Sequence, residues 1–425
     1  MSNIHIKNGR QIDPDNKSDG VADLFIADGK ILSTASQPDG FTADTTIDAT
    51  GLVVIPGIVD LCARLREPGD EQKADIYSET LAAASAGITR LCIPPDTKPV
   101  IDEPSVIELI NHKAATSSQC KVSALGALTT GLKGEHLSEM FTLNEAGCAG
   151  ISNARHPIRN TLVLKRAYSY AANCGLTVFI EPDDDYLSDS GNAHEGAVAT
   201  RLGLSGIPAS AETAAIARVI ELIYETKAKA HIGRISTAKS VTMIQRAKDD
   251  GLDITADVSA HQLHLTEMDI SSFNSSCHVL PPLRTERDKE ALRQGLIDGT
   301  IDAICSDHQP HEHDAKHAPF ASTQPGISAL ETLLPLTLKL VTDNVIDMQT
   351  AVRVLCNNPA RILNINAGSL AAGTPADICI IDTEKMWQLT ESNMKSRGKN
   401  TPFLEWEFMG RCVYNVIDGV VKHSL

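Results

Sequence analysis

Residues 53–69 read VVIPGIVDLCARLREPG, an apolar run that ends in polar residues and a Pro-Gly pair. Side chains two positions apart on a β-strand point to the same face, so Cys62 and Arg64 share a face at the end of this predicted strand. Two histidines at these positions would offer a metal ion two ligands. A guanidinium group cannot act as a ligand, because all its nitrogens are donors. The residue types at this strand end therefore bear on both fold and chemistry.

This segment is the first of eight short apolar stretches, each followed by a stretch of helical character. The eight candidate strands are VVIPGIVDLCARL, ITRLCIPP, KVSALGAL, CAGISN, LTVFIEP, AKAHIGRIS, LDITADVSA and IDAICSDH. Intervening residues such as 163–175 and 211–229 space their apolar side chains as helices do. Eight β-α units predict an α/β fold, the (β/α)8 TIM barrel, whose parallel strands are buried on both faces.

In a TIM barrel, the functional residues lie at the carboxyl ends of the strands. The candidates at these ends, in strand order, are Cys62 and Arg64, Asp96, Asn153, Glu181, His231 and Arg234, His261, and Asp307 and His308.

Both ends of the chain differ from the middle. Residues 1–52 and 365–425 contain short alternating stretches separated by turn signals such as Asp-Gly, as β-hairpins do. We expect one small β domain built from these two segments, and a barrel domain over residues 53–364.

The bulk composition is that of a globular chain of 425 residues with a formal net charge of -16. This charge argues against nucleic-acid and membrane partners. The amino terminus lacks the layout of a signal peptide, and no apolar run approaches the roughly 20 residues of a membrane span, so we expect a cytoplasmic protein. The ten cysteines are scattered without a C-x-x-C pair, which indicates reduced, buried thiols.

Several longer motifs carry a family resemblance. They are PGIVDLCARLREPG, IPPDTKPV, HIGRISTAKS, LPPLR, SDHQPH, PFASTQPGISALET and SRGKNTPFLEWEFMGRCVYNVIDG, in this order along the chain. Together they resemble the type I dihydroorotases of the amidohydrolase superfamily. The resemblance implies a zinc-dependent barrel hydrolase that cyclises carbamoyl aspartate to dihydroorotate in pyrimidine synthesis.

The positions at which this family binds its metal ions hold other residue types here. The paired histidines of the first strand are Cys62 and Arg64, and the family's Asp-Asp-Gly after the fourth strand appears as Asn153, Ala154 and Arg155. The ligand histidines of the fifth and sixth strands fall on Glu181 and Arg234, and only the eighth-strand aspartate, Asp307, is retained. Bound zinc lowers the pKa of water from 15.7 to about 7. From these replacements we predict a vestigial metal site, no zinc cofactor and no catalytic residue.

The positions that hold the substrate in the family are changed in part. Arg66 of the first-strand motif and Arg284 of LPPLR are kept, whereas Asp96 and Leu280 replace two asparagines. The substrate of the family is a dianion, and we expect the carboxylate at position 96 to repel it.

The replacements also have an electrostatic logic. Loss of divalent cations from a buried site leaves carboxylates uncompensated, which costs free energy. We therefore expect Arg64 or Arg234 to pair with Asp307 and Glu181. An alternative is a single zinc ion held by Cys62, Glu181, His231 and Asp307.

Two further motifs contain residue types that occur in metal-binding or catalytic sites. The four histidines of residues 308–317 suggest at most a weak metal site on the surface. We expect Ser236 and Thr237 to support packing and strand-end hydrogen bonds.

Three functions follow from the resemblance. The first is a non-catalytic subunit that assembles with aspartate carbamoyltransferase and self-associates as a dimer, because some bacteria carry an inactive homologue with that partner. The second is a weakly active or altered cyclic amidohydrolase of the dihydroorotase or hydantoinase type. The third is a subunit that senses a pyrimidine intermediate in the old pocket.

Overall fold

The computed structural model describes residues 3–425, and most of its strands form either a barrel or a separate sheet. In chain order the strands are β1 (Ile4–Asp13), β2 (Ser18–Ala27), β3 (Lys30–Ser33), β4 (Thr45–Asp48), β5 (Val53–Pro56), β6 (Ile58–Asp60), β7 (Ile88–Ile93), β8 (Lys121–Ala124), β9 (Gly126–Ala127), β10 (Ile151–Ser152), β11 (Val178–Ile180), β12 (Ala193–His194), β13 (Gly206–Ile207), β14 (Ala230–Ile232), β15 (Ile254–Ser259), β16 (Ala303–Cys305), β17 (Ile378–Gln388), β18 (Glu407–Ile417) and β19 (Val420–Ser424).

The barrel consists of parallel strands in two hydrogen-bonded groups. Strands β6, β7 and β8 form the first group, and β9, β10, β11, β14, β15 and β16 form the second. Strand β8 runs on into β9, with the Leu125 amide donating to the Ile93 carbonyl at 3.0 Å. A parallel bridge between Ala63 and His308 joins the last strand to the first. The predicted (β/α)8 TIM barrel is confirmed.

The predicted first strand is divided between the two parts of the molecule. Strand β5 pairs with β1 and β17 in the small sheet, whereas β6 pairs with β7 in the barrel. The division falls at Pro56 and Gly57, where proline cannot donate a ladder hydrogen bond.

The small β domain draws its strands from both ends of the chain. Its sheet has the order β19-β18-β17-β5-β1-β2-β3, and β4 also pairs with β1. The inward side chains form a core of their own, which includes Ile4, Leu24, Val54 and Ile378. Burying these alternating apolar side chains stabilises the sheet, at about 25 cal/mol per Å² of apolar surface.

Helices cover the outside of the barrel. They are α1 (Ile76–Ser85), α2 (Pro104–Ser117), α3 (Met140–Glu145), α4 (Thr161–Asn173), α5 (Asp185–Ser188), α6 (Ala197–Leu202), α7 (Ala209–Thr226), α8 (Ala238–Asp249), α9 (Glu286–Ile297), α10 (Leu330–Thr342), α11 (Met348–Val352) and α12 (Asn358–Ile362). Short 3-10 turns lie at Thr130–Leu132, Ala260–Leu263, Glu267–Ile270, Ser275–Cys277, His313–Lys316 and Phe320–Ser322, and Arg353–Asn357 is a π-helical segment. Helix α1 begins at a capping box, in which Asp75 and Ser78 satisfy each other's backbone amides.

The interior of the barrel has its own apolar cluster, separate from the core between strands and helices. Cys62, Cys92, Phe179 and Cys305 belong to it. Of the ten cysteines, all free thiols, nine are buried and Cys174 is half-buried, which confirms their interpretation as small core residues. Among residues 3–425, no helix has the length and apolar character that a membrane crossing requires.

Candidate functional site

The predicted site residues converge at the carboxyl ends of the barrel strands. Arg64 follows β6, Glu181 follows β11, Arg234 follows β14 and Asp307 follows β16. Arg234 and Asp307 adopt φ values of 53° and 48°, in the left-handed region that residues with a Cβ rarely occupy. Such conformations persist where the surrounding structure holds them, and they concentrate at functional sites.

Two arginines predicted to pair with the strand-end carboxylates both do so. Arg234 Nη2 lies 2.8 Å from Glu181 Oε1, and Arg64 Nη2 lies 3.5 Å from the same oxygen. The other carboxylate, Asp307, has Arg64 Nη1 at 3.6 Å and Arg234 Nε at 3.8 Å. The expected pairing is therefore confirmed.

A third arginine joins them from the loop after β10. Arg155 Nε donates to Glu181 at 3.0 Å, and its Nη2 reaches Asp307 at 3.4 Å and also donates to the Leu280 carbonyl. Its side chain is 24% exposed, against 7% for Arg64 and 9% for Arg234, so Arg155 forms the solvent side of the group. The sequence placed Arg155 only at a former metal-binding motif and gave it no role.

Asp96 completes this group. Its Oδ2 accepts a hydrogen bond of 2.9 Å from Arg64 Nε. The predicted repulsion of an anionic substrate by Asp96 is therefore corrected, because the carboxylate is paired with a guanidinium group. We call these six residues the arginine-carboxylate cluster: Arg64, Asp96, Arg155, Glu181, Arg234 and Asp307.

The cluster contains equal numbers of guanidinium and carboxylate groups. Burial alone would raise the pKa of Glu181, but the guanidinium groups of Arg234, Arg64 and Arg155 outweigh it and lower that pKa to about 2. Burial opposes the charged form of Arg64 as well, yet the carboxylates of Asp96 and Glu181 raise its pKa overall. Glu181 and Arg64 are therefore charged at neutral pH, and the opposite charges compensate each other.

The cluster does not fit the zinc ion that the resemblance implies. Glu181 and Asp307 face guanidinium groups, and burial raises the pKa of the Cys62 thiol well above its usual value. Asn153 is engaged by Thr129 Oγ1, which donates to its Oδ1 at 2.7 Å. Within residues 3–425, no three His, Cys, Asp or Glu side chains are grouped to hold a metal ion.

The alternative site of mixed zinc ligands also does not assemble. His231 Nε2 lies 2.8 Å from Asp257 Oδ2, and its Nδ1 lies 2.8 Å from Thr255 Oγ1. Both ring nitrogens are therefore engaged inside the barrel, away from Glu181 and Asp307.

His308 and His311 hold the loop after β16 in place. His308 Nε2 lies 2.8 Å from Glu79 Oε2, and its Nδ1 accepts from the Ala329 amide at 3.0 Å. His311 Nε2 lies 3.0 Å from the Pro325 carbonyl. On the surface, the rings of His313 and His317 stack at 3.8 Å. The weak metal site expected in this loop lacks a third ligand among the described residues.

Arg66, the kept substrate residue of the first-strand motif, is also engaged. Its Nε donates to the Pro310 carbonyl at 3.0 Å, and Nη2 lies 3.2 Å from His311 Nε2. Burial, with help from nearby Arg64, lowers the pKa of Arg66 to about 10.

A cavity of about 360 Å³ opens beside the cluster. Its walls come from the ends of strands β11 and β14, helix α5 and the loop that holds Leu280. The lining residues are Arg155, Arg159, Glu181, Pro182, Asp183, Asp185, Ser188, Ser190, Gly191, Ile207, Glu212, Gly233, Arg234, Leu280, Pro281, Pro282 and Arg284. A volume of this size is typical of a site for a small molecule.

Arg284, the second kept substrate residue, lies in the cavity wall. It donates from Nε to Ser236 Oγ at 3.0 Å and from Nη1 to the Ile207 carbonyl at 2.7 Å. Nearby Glu212 accepts from the amides of Ser236 and Thr237 at 3.0 and 3.1 Å. The structural role expected for Ser236 and Thr237 is confirmed.

Two residues of the site escaped the sequence analysis. Asp183 stands two residues after Glu181 in the acidic run EPDDD, and this run after a strand was an available signal. Glu212 lies within the helical spacing of α7, and nothing in the sequence distinguishes it from a surface glutamate.

Burial within the site affects both the hydrogen bonding and the pKa of His261. Its Nδ1 is buried and has no hydrogen-bond partner among the described residues. Burial lowers the pKa of His261 to about 4, against the opposing effect of Asp307. The ring is therefore neutral at physiological pH.

Comparison with known proteins identifies the family to which the chain is related. Family models match it over residues 51–240 as "Dihydro-orotase-like" and over residues 188–422 as "Amidohydrolase family". The chain is 44% identical to a dihydroorotase-like protein of Pseudomonas aeruginosa, over 99% of both chains. It is 41% identical to a dihydroorotase of Geobacter sp. strain M21, also over 99% of both. Its fold resembles that of an L-hydantoinase from Arthrobacter aurescens, with a TM-score of 0.91, 22% identity and coverage of 100% of this chain and 96% of that one.

The prediction that the chain is not an enzyme is wrong, because relatives that match it over nearly its whole length are named as enzymes. The physical reason is that the residues at the metal positions concern metal-assisted hydrolysis only. They do not determine whether a substrate can bind in the cavity. The cavity beside Glu181 and Arg234 keeps room for a small substrate.

The prediction that the chain takes no cofactor is also overturned. The family match extends over residues 188–422, and the resemblance implies zinc for the enzymes of this family. A zinc ion in this chain would need ligands other than the ion-paired side chains of the arginine-carboxylate cluster. The chain belongs to the dihydroorotase-like branch of the amidohydrolase family.

Proposed function

We propose that this chain is an altered cyclic amidohydrolase of pyrimidine biosynthesis, which binds a ring amide or the corresponding ring-opened carbamoyl acid. The observation that supports this most directly is the cavity of about 360 Å³ at the carboxyl ends of the strands. Arg155, Glu181 and Arg234 belong to both the cavity wall and the cluster. A bound amide therefore lies next to charged groups held in fixed positions, as stabilisation of a charged transition state requires.

The expected roles follow from the charges. Arg155 and Arg234, which line the cavity, face the amide oxygen. Asp307, the carboxylate retained from the family, lies behind them, 3.4 Å from Arg155 Nη2. Asp307 accepts a proton from the water that attacks the amide carbon, and this proton passes to the ring nitrogen as the C–N bond breaks. Glu181 is a poor base, because its pKa is held at about 2. Since both arginines already compensate Glu181 and Asp307, little positive charge remains for a developing oxyanion. We therefore expect slow turnover.

The test combines binding with turnover. The purified chain is titrated with dihydroorotate, carbamoyl aspartate, hydantoin and dihydrouracil in a thermal-shift assay, and ring opening is followed by chromatography at high protein concentration. A ligand at 100 times its Kd adds about 2.7 kcal/mol of stability. We expect such stabilisation and slow conversion of at least one ligand. If none of the four stabilises the chain or is converted, the proposal fails.

Two variants show where the conversion takes place. Asp307→Asn should abolish conversion and retain ligand stabilisation. Asp302→Asn is the matched control, because Asp302 precedes the same strand at its other end and pairs with Lys248 at 2.7 Å. Stabilisation of the unmodified chain without conversion would favour a ligand-sensing subunit instead.

We also propose that the chain assembles with the catalytic chain of aspartate carbamoyltransferase in the cytoplasm, and that it self-associates as a dimer. The resemblance supports this partner, and a carbamoyl acid is the chemical link between the two activities. Ten free thiols are consistent with a reducing compartment. In size-exclusion chromatography with light scattering, we expect a dimer alone and a larger complex when the transferase is added. Separate elution of the two proteins would contradict the assembly.

A further inference from the structure

We infer that Asp183 and Arg284 determine which ligand the cavity accepts: an open-chain acid that carries a terminal ureido group. Asp183 would accept the two N–H donors of the ureido group, and Arg284 would bind the carboxylate. This inference rests on the proposed function and names the residues that select its ligand.

Asp183 brings a negative charge without an ionic partner to the cavity. It follows β11 and lines the cavity wall. Ser188 Oγ donates to Asp183 Oδ1, and within residues 3–425 no Lys, Arg or His nitrogen lies within 4.0 Å of the carboxylate. Oδ2 has no hydrogen-bond partner among these residues, so it has acceptor capacity to spare.

Arg284 brings a positive charge without an ionic partner to the same cavity. Its side chain is 3% exposed, and Nε and Nη1 donate to Ser236, Ile207 and His194. Nη2 donates to no group of the described chain, and no carboxylate oxygen there lies within 4.0 Å of the guanidinium. Glu212 contacts the same Ser236 hydroxyl and compensates Arg284 in part, but burial still lowers the pKa of Arg284. A carboxylate bound directly to the guanidinium would offset this cost of burial.

The other charged groups around the cavity already have partners, and among them Glu212 accepts hydrogen bonds from the amides and hydroxyls of Ser236 and Thr237. Arg155 and Arg234 bind Glu181, and Arg159 binds Asp185 at the rim. The cavity therefore presents one carboxylate with free acceptor capacity, Asp183, and one guanidinium without an ion-pair contact, Arg284. Ligands that carry N–H donors at one end and a carboxylate at the other match this pattern.

The geometry of the donors selects the open chain over the ring. An open ureido group can place two N–H bonds parallel, on the edge opposite its carbonyl, and both can reach one carboxylate. In a ring amide such as dihydroorotate, ring closure turns the N–H bonds on both sides of the carbonyl away from each other. Asp183 can therefore accept two hydrogen bonds from the open form and one from the ring.

The family's usual anion anchor is not in a position to replace Arg284. Arg66 donates to the Pro310 carbonyl, lies against His311 and does not line the cavity. A ligand whose carboxylate binds Arg284 therefore lies nearer to the sixth and seventh barrel strands than a ligand bound by Arg66 would.

The test compares three probes by isothermal titration calorimetry: N-carbamoyl-L-aspartate, dihydroorotate and N-acetyl-L-aspartate. The acetyl compound keeps both carboxylates and lacks the terminal amine. We expect the carbamoyl acid to bind at least about tenfold more tightly than either of the others, because hydrogen bonds to charged groups are worth more than a factor of ten. Equal affinity for all three probes would overturn the inference.

Variants assign the two ends of the ligand. Asp183→Asn should remove the preference for the carbamoyl acid over the acetyl acid. Asp185→Asn is a matched control, because it removes a charge nearby whose partner is Arg159. Arg284→Lys should weaken binding of all three acids about tenfold, whereas Arg66→Gln should leave it unchanged.

The outcomes separate this inference from the proposed function. If the unmodified chain binds none of the three probes, the proposed function fails with it. If it binds them and loss of affinity follows Arg66→Gln instead of Arg284→Lys, only the inference is overturned. Should Arg284→Lys fail to fold by circular dichroism, Asp183→Asn and the three probes still decide the question.

Discussion

Arg234 Nη2 lies 2.8 Å from Glu181 Oε1, and both side chains are more than nine-tenths buried. The contact joins the ends of two adjacent barrel strands, β11 and β14. Such a buried pair is stable only while both charges are present, because each compensates the desolvation of the other.

Removing the positive partner should therefore destabilise the fold. We expect Arg234→Met to lower the free energy of unfolding by about 3 to 5 kcal/mol, since it leaves Glu181 and Asp307 with less compensation. Urea denaturation at neutral pH measures the change. The double variant Arg234→Met with Glu181→Leu restores the charge balance of the cluster and should recover most of this loss. A single variant as stable as the parent chain would show that the cluster is held by other contacts.

Gly87 tests the packing between the barrel and the small β domain. It has φ of +83°, and a Cβ there would lie 2.3 Å from Cys379 Sγ. We expect Gly87→Ala to cost about 2 to 4 kcal/mol, from a backbone term of about 1 kcal/mol and an overpacking term of 1 to 3 kcal/mol.

Gly175 provides the matched control. It also follows a helix with positive φ, +68°, but a Cβ there would meet nothing within 4 Å. Gly175→Ala should cost only the backbone term of about 1 kcal/mol. The two variants are compared by thermal unfolding in parallel. Equal losses of stability would mean that the Cys379 side chain moves away from the new Cβ at little cost in free energy.

Glu331 should make stability depend on pH. Burial raises its pKa to about 7, although the amides of Lys395 and Ser396 donate to it. The folded chain keeps this proton up to about pH 7, whereas the unfolded chain releases it near the usual value of 4.5, so rising pH between these values favours unfolding.

The variant Glu331→Gln should flatten this dependence. We expect its free energy of unfolding to fall less than that of the parent chain between pH 5 and 7, by up to about 3 kcal/mol. Burial raises the pKa of Asp60 to about 7 as well, so the difference between the two proteins is the quantity to measure, by urea denaturation across the pH range. Parallel curves would exclude Glu331 as the titrating group.

Glu212 should support the wall that holds Arg284. It is 2% exposed and accepts hydrogen bonds from the amides and hydroxyls of Ser236 and Thr237. We expect Glu212→Gln to lower the free energy of unfolding by about 2 to 4 kcal/mol. The amide nitrogen of the glutamine would place its N–H donors opposite the N–H and O–H donors of Ser236 and Thr237. Glu221→Gln on the exposed face of the same helix is the control and should stay within about 0.5 kcal/mol.

The barrel and the approximate place of the site could be predicted from the order of residue types along the chain. Apolar strands alternating with amphipathic helices have few ways to bury their faces, and the closed parallel barrel satisfies all eight units. The strand ends could also be located, because polar residues such as Arg64, Glu181 and Asp307 follow directly on apolar runs. Opposite charges at a common buried edge were expected to pair for electrostatic reasons, and they do.

Which charges lack an ion-pair partner depends on how the chain packs in three dimensions, and residue types alone could not predict it. Arg155 reaches Glu181 from a loop whose path no strand pattern specifies, and Asp96 turns toward Arg64 because the first two strands are neighbours. Asp183 and Arg284 are 101 residues apart in the numbering and meet one cavity because the barrel closes. A charge's partner depends on distances of a few ångströms across the barrel, and these are set by packing of the whole fold.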